Sequence, residues 1–279
     1  MTGRLVLVAT PIGNLGDLSA RSIETLREAD LIVCEDTRRT RALLSAMEIG
    51  AAGRLSALHA HNEGARLEEI VSAVRAGSVV ALVSDAGMPG ISDPGQLLVA
   101  GVADAGLEVS VVPGPSAVLG ALVVSGFSTD RFCMEGFLPR RGSARADALS
   151  RLTVEERSCV VFESPRRVAE TLADLARTLG GARRVAVVRE LTKMHEEVWR
   201  GSLEDACAEW SSREIKGEVV LVIEGAQPPV AAEVADAQIV ERLNELLAAG
   251  TSRRDAAAAV SAELGVSRRR VYELASSLG

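Results

Sequence analysis

The sequence predicts an α/β protein with an N-terminal domain built on a parallel sheet, a second α/β domain with a mixed sheet, and a small all-helical tail of helix-turn-helix type. Three observations carry this. Over the first 112 residues, short apolar runs alternate with segments of helical period. After VVPGPSAVLGALVVSG the apolar runs are joined by longer and more irregular connections, and beyond residue 236 only helical periodicity remains.

Taken in order, strands are expected at 4–9, 31–35, 79–84 and 108–112, with helices at 17–29, 38–48, 64–76 and 95–105. Alternation of this kind implies crossover connections and therefore parallel strands. Further strands are expected at 131–135, 158–163, 184–190 and 218–224. The change of character places a boundary near Pro113 to Ser116, giving domains over 1–115 and 116–226. QPPVAAEVAD (227–236) reads as a linker, and 237–279 as the helical tail. In the tail, Ser252 and Ser267 suit N-caps, Gly265 suits a turn, and Ala256, Val260, Val266, Val271 and Leu274 can form a small core.

Composition narrows the class. A chain of 279 residues with 47% hydrophobic and 25% charged residues can bury a sizeable core, and its longest apolar runs are too short to span a membrane. The absence of a basic, apolar leader points to the cytoplasm. Cys34, Cys133, Cys159 and Cys207 are widely separated without CxxC spacing, so neither a metal site nor a disulfide framework is expected. The net charge of −7 argues against a general nucleic-acid binder, yet arginines occur in knots: Arg38, Arg39 and Arg41; Arg140, Arg141 and Arg145; Arg166 and Arg167; Arg253 and Arg254; Arg268, Arg269 and Arg270. Local basic patches can bind phosphate on an acidic protein. Only Lys193 and Lys216 among the 31 basic residues are lysines, the one basic type able to give up its proton near neutrality.

Three Gly/Pro-rich loops, VATPIGNLGD, VSDAGMPG and VVPGPSA, leave strands at the same edge of the predicted parallel sheet. Ligands of open α/β sheets bind beyond that edge. None of the loops fits GxGxxG or GxxxxGK[ST], so phosphate cradling is not indicated. Glycines that admit close backbone approach, with Asp85 as an acceptor, suit a cofactor made of a nucleoside and an amino acid.

TPIGNLGD, CEDTRRT, VSDAGMPGISDPG, VPGPSAVLGAL, GFLPRRG, FESPRRV, RELTKMHEEVWRG and KGEVVLVIEG closely resemble, in order and spacing, the tetrapyrrole methylase superfamily and most specifically its ribosomal branch. The resemblance runs from about residue 4 to 225 and continues in the tail. It implies a two-domain class III methyltransferase fold, S-adenosylmethionine as cofactor, a homodimer, and 2′-O-methylation of a cytidine ribose in the decoding region of 16S rRNA. Carried over by motif, the cofactor would be held by Pro11, Asp85, Ala86, Gly87, Ile91, Ser116, Ala117 and Phe162, with Leu191 and Glu218 closing on the adenine. One departure is Arg166, which stands where family members often carry His after ESP, so no catalytic role is carried over to it.

A ribose hydroxyl attacks well only when a base accepts its proton. Candidates at strand ends are Asp36, Glu163, Glu190 and Lys193; a lysine of lowered pKa could be the base, with Glu190 orienting it. For RNA, Arg38, Arg39, Arg140, Arg141, Arg167, Arg268, Arg269 and Arg270 are the contacts expected, the last three in the first turn of the second tail helix. Two other readings remain open at this point. One is a small-molecule methyltransferase acting on a tetrapyrrole; the other is a ligand-sensing DNA-binding regulator, which leaves the ELTK and CEDTRR clusters without a task.

Overall fold

The structure is a computed structural model that describes residues 3–59, 61–227 and 235–277. The chain divides into two compact units, Met1–Ala226 and Gln227–Gly279.

The first unit holds two five-stranded sheets. In the N-terminal sheet, β1 (Arg4–Val8), β2 (Leu31–Cys34), β3 (Leu55–Ala57), β4 (Val79–Val83) and β5 (Glu108–Val112) are all parallel, in the order β3-β2-β4-β1-β5. Runs such as RLVLV and VVALV are apolar on both sides because helices cover both faces. On one face α1 (Ala20–Glu28) and α2 (Thr37–Ala46) seat Leu26 and Leu44 against Val8, Ile32 and Val83. On the other, α3 (Glu63–Arg75) and α4 (Gln96–Asp104) seat Ile70, Val74, Leu98 and Val102 against Leu5, Val33 and Leu82. Strand order reverses between β1 and β4, which opens a crevice at their carboxyl ends.

The second sheet is mixed, in the order β6-β7-β10-β8-β9, from β6 (Phe132–Phe137), β7 (Ser158–Glu163), β8 (Arg184–Arg189), β9 (Glu197–Ser202) and β10 (Val219–Ile223). Only the β6/β7 pair is parallel. The helix α5 (Ala117–Ser125), buried at Val118, Ala121 and Leu122, packs on Val160, Val188 and Val220. The opposite face is covered by α6 (Ser143–Val154), α7 (Val168–Leu179) and α8 (Leu203–Trp210), through Leu152, Leu172, Leu175 and Trp210. β3 and β9 are two strands that periodicity misses. β3 is three residues long, and β9, EVWRGS, lies at the sheet edge with charged residues that break its alternation.

In the second unit, α9 (Asp236–Ala248), α10 (Arg253–Leu264) and α11 (Arg268–Ser277) enclose Ile239, Leu243, Ala256, Val260, Val271 and Ala275. The Ser252 hydroxyl caps α10 by accepting from the Asp255 amide at 3.2 Å, and Gly265 ends that helix at φ 64°. Residues 228–234, most of the expected linker, lie outside the described residues.

Candidate active site

The first two of the three loops at the carboxyl edge of the parallel sheet are fastened to one another by backbone. Thr10 and Gly87 exchange hydrogen bonds of 2.9 and 3.0 Å. The Thr10 hydroxyl donates to the Ser84 carbonyl at 3.1 Å, and the Ser84 hydroxyl to the Gly87 carbonyl at 2.9 Å. Beneath them, the buried carboxylate of Glu63 on α3 accepts from the amides of Gly95 and Leu98, each at 3.0 Å. Those amides open α4, so a remote acid satisfies orphan donors of a helix start and fixes the SDPG turn before it.

These loops form one wall of a cleft of about 360 Å³, within the roughly 300–1,000 Å³ usual for small-molecule sites. Its first wall carries Ile12, Ala86, Gly87, Ile91, Asp93 and Ser116, and its second carries Phe137, Phe162, Gly217, Glu218 and Val220 from the mixed sheet. Of the residues expected at the cofactor, Ala86, Gly87, Ile91, Ser116, Ala117, Phe162 and Glu218 line this cleft. Leu191 faces an adjoining hollow that shares Ile12 and Ser116 with it, while in the first loop Ile12 rather than Pro11 forms the wall. Asp85 stands elsewhere. Its carboxylate accepts from the Asp36 amide at 3.1 Å, lies 3.5 Å from Arg39, and faces a polar hollow with Glu35, Asp36 and His59.

The candidate bases are arranged differently from expectation. Glu163 has a fully buried side chain that accepts from the Ser164 amide at 2.7 Å, Thr171 at 2.6 Å and Arg167 at 3.0 Å, so both oxygens are already engaged in bracing the FESP turn. Asp36 caps α2 and forks onto Arg38, whose hydrogen bonds hold its carboxyl well below the usual carboxylate range. Lys193 donates to Glu190 at 2.8 Å and to Glu218 at 3.0 Å. Burial alone would lower its pKa, but hydrogen bonds to the two carboxylates outweigh burial and raise it. The lysine is therefore an ammonium rather than the expected depressed amine. Its stem packs over Gly13, where a Cβ would come within 2.3 Å of the Lys193 Cγ, and Glu190 lies over Gly217. Glu190 thus holds Lys193 in an ion pair at the seam between the loops.

The group that sequence reasoning missed is Asp93. It lines the cleft and also a second hollow with Glu35, His59 and His61. Its carboxylate makes no hydrogen bond or ion pair with another described residue. Burial pushes its carboxyl up to about 6, and the charges of Glu35 and Asp85 add to the rise. The only sequence signal was the second acidic residue of SDAGMPGISDPG, in a turn that Glu63 locks.

Among the arginines, Arg140 and Arg141 are exposed on the loop after β6 and have no partner among the described residues. Arg38 and Arg39 are exposed beside Asp36 and Asp85. Arg167 is drawn inward to Glu163 and the Leu138 carbonyl, and Arg145 is only 6% exposed, bound to Asp174, Thr171 and the Pro139 carbonyl. Those two are therefore structural. In the tail, Arg269 pairs with Glu273 at 2.9 Å and Arg270 with Asp236 at 2.6 Å, which leaves Arg254 and Arg268 without a partner among the described residues.

A family model described as Tetrapyrrole (Corrin/Porphyrin) Methylases matches residues 4–207. The chain belongs to that family. It is 45% identical over 276 residues to the ribosomal RNA small subunit methyltransferase I of Synechocystis sp., covering 99% of this chain and 98% of the relative. The protein of the same name from Thermotoga maritima is 45% identical over 225 residues, 81% of this chain but 100% of the relative. Among solved structures, a uroporphyrin-III-C-methyltransferase from Thermus thermophilus superposes with a TM-score of 0.55 at 19% identity, over 80% of this chain and 94% of that one. At that identity the likeness establishes the fold: the class III α/β arrangement of a parallel and a mixed sheet.

Proposed function

We propose that the protein is an S-adenosylmethionine-dependent methyltransferase of small-subunit ribosomal RNA, acting in the cytoplasm as a homodimer on the 2′-hydroxyl of a cytidine in the decoding region. The observation that carries this reading is the pairing of a cofactor-sized apolar cleft with a raised-pKa carboxylate in its lining that has no partner among the described residues. The names of full-length relatives at 45% identity support the RNA substrate over a tetrapyrrole. The cleft fits S-adenosylmethionine: glycine backbone at residue 87, apolar walls and no phosphate cradle suit an adenosine joined to an amino acid.

When bound, that cofactor supplies a methyl carbon made electrophilic by its sulfonium. The chain's own residues do the rest. Ile12, Val118, Phe162 and Val220 give the cleft its apolar lining, and Ser116 adds a polar side chain. Asp93 accepts the hydroxyl proton, and its raised pKa makes it a stronger base than an ordinary carboxylate while still ionised at neutral pH. Lys193 bridges Glu218 and Glu190, and its stem lies over Gly13 of the first loop. Offering labelled S-adenosylmethionine with small subunits that lack the modification, beside a porphyrinoid and plasmid DNA, tests the reading. Label is expected in the RNA at a ribose, and label in the porphyrinoid alone sinks it.

The helical unit is assigned to docking of the RNA rather than to chemistry. The Thermotoga maritima relative is matched end to end by a length of this chain close to that of the first unit alone. Residues 227–279 carry six arginines against seven acidic residues, so the docking surface is local rather than a general polyanion grip. A chain ending at Ala226 is expected to bind S-adenosylmethionine normally but the subunit more weakly. With Arg254 and Arg268 as the uncommitted cations, its salt dependence should flatten by roughly 0.7 per lost contact on a single strand. Unchanged subunit affinity with loss of the dimer makes the unit an assembly element instead.

A further inference from the structure

We propose that Phe137 is the stacking platform for the target nucleobase, an inference that rests on the RNA reading above and names the part of the site that receives the substrate. The chain is poor in aromatics, with four phenylalanines, two tryptophans and one tyrosine. Two of the four phenylalanines nevertheless wall this cleft. Phe162 is the inner one; Phe137 lies with its ring centroid 5.6 Å away at an interplanar angle of 56° and is 60% exposed. A tilted contact of that kind fixes a ring by its neighbour's edge and leaves the other face open.

The backbone reaches considerable lengths to present this ring. β6 pairs with β7 in register from Phe132 to Met134, then shifts by one residue, so that Gly136 faces Val161 and Phe137 faces Phe162. Were Glu135 an ordinary paired residue, strict alternation would carry Phe137 to the face occupied by Cys133, packed under α6 and α7; the bulge turns it to the face of Met134, Val160 and the cleft. Gly136 adopts φ 64°, the left-handed conformation such a bulge requires. An exposed phenylalanine has no reason of its own stability to be placed so.

Its surroundings match a splayed nucleotide. Arg140 and Arg141 follow on the same loop, exposed and without partners among the described residues, where backbone phosphates would run. Ser92 and Asp93 line the same cleft from the opposite wall, with the Ser92 Oγ 3.8 Å from where a Gly136 Cβ would stand. Sequence-specific RNA recognition uses unstacked bases laid on aromatic rings, and Phe137 and Asp93 line one cleft.

The test compares F137A, F137L and F137W in two assays: S-adenosylmethionine affinity by calorimetry, and methyl transfer to small subunits lacking the modification. The expected result for F137A is a fall in kcat/KM for the subunit of roughly ten- to a hundredfold, carried mainly by KM, with cofactor affinity unchanged. F137W should restore transfer and F137L should not, since leucine keeps apolar cover without a stacking face. Cofactor affinity that falls in step with transfer assigns the ring to the cofactor and overturns the inference, as does transfer by F137L at the wild-type rate. Wild-type protein that labels no RNA overturns the functional reading itself, a result distinct from wild-type transfer that F137A leaves undiminished.

Discussion

Asp93→Asn is expected to lower turnover on the small subunit by roughly 10²–10⁴-fold, the range that a positioned general base contributes, with S-adenosylmethionine affinity intact. The variant keeps shape and removes the proton acceptor. In the wild type, the deprotonated carboxylate is the competent form, so kcat should rise with pH through about 6 and level off above it. E35Q removes one of the two charges that add to the raised value, so it should move that limb to lower pH while leaving the plateau in place. The same profile discriminates against Lys193. Its carboxylate partners raise its pKa, so an amine base would give a limb above the ordinary lysine range. A limb near 6 that persists in D93N would sink the assignment of Asp93.

The contrast between Asp93 and Lys193 shows what the sequence made legible. The alternating periods gave the parallel sheet and both faces of its helices, because burial on two sides leaves an apolar run that composition alone reveals. The three loops were legible because glycine and proline punctuate strand ends. The rank order of the bases was not. Glu163 and Lys193 both follow apolar strands and look alike in sequence, but Thr171, eight residues on, occupies one, and Glu218, from β10's approach, charges the other. Asp93 gains its basicity first from burial and then from Glu35, on the loop after β2, and Asp85, on its own loop, and it takes its position from Glu63 on α3. Likewise Arg145 and Arg167 belong to basic knots but turn inward to Asp174 and Glu163. Through-space partners of this kind have no local signature. The one-residue bulge at Glu135 has only a glycine to announce it, and that glycine decides which face Phe137 occupies.

Gly87→Val should abolish S-adenosylmethionine binding by calorimetry while the chain still unfolds cooperatively. Gly87 sits at φ 84°, where a β-branched residue is an outlier costing on the order of 1–3 kcal/mol. A Cβ there would stand 3.3 Å from the Ile12 Cγ2 and 3.5 Å from the Pro115 carbonyl oxygen, so the added bulk meets two of the three loops at once. Ile12 is cleft wall, and the neighbour that yields must move into the space the ligand needs. The hydrogen bonds that Gly87 exchanges with Thr10 are backbone only and do not depend on the side chain, and the cores under α1 to α4 lie away from it. Global stability should therefore fall by no more than the local strain, a fraction of what a domain of this size has in reserve. Gly87→Ala adds the Cβ without the branch and should give intermediate affinity. If valine leaves affinity unchanged, the loop after β4 is not the floor of the cofactor site, and the close approach of backbone to ligand that motivates the whole arrangement of the first wall is wrong.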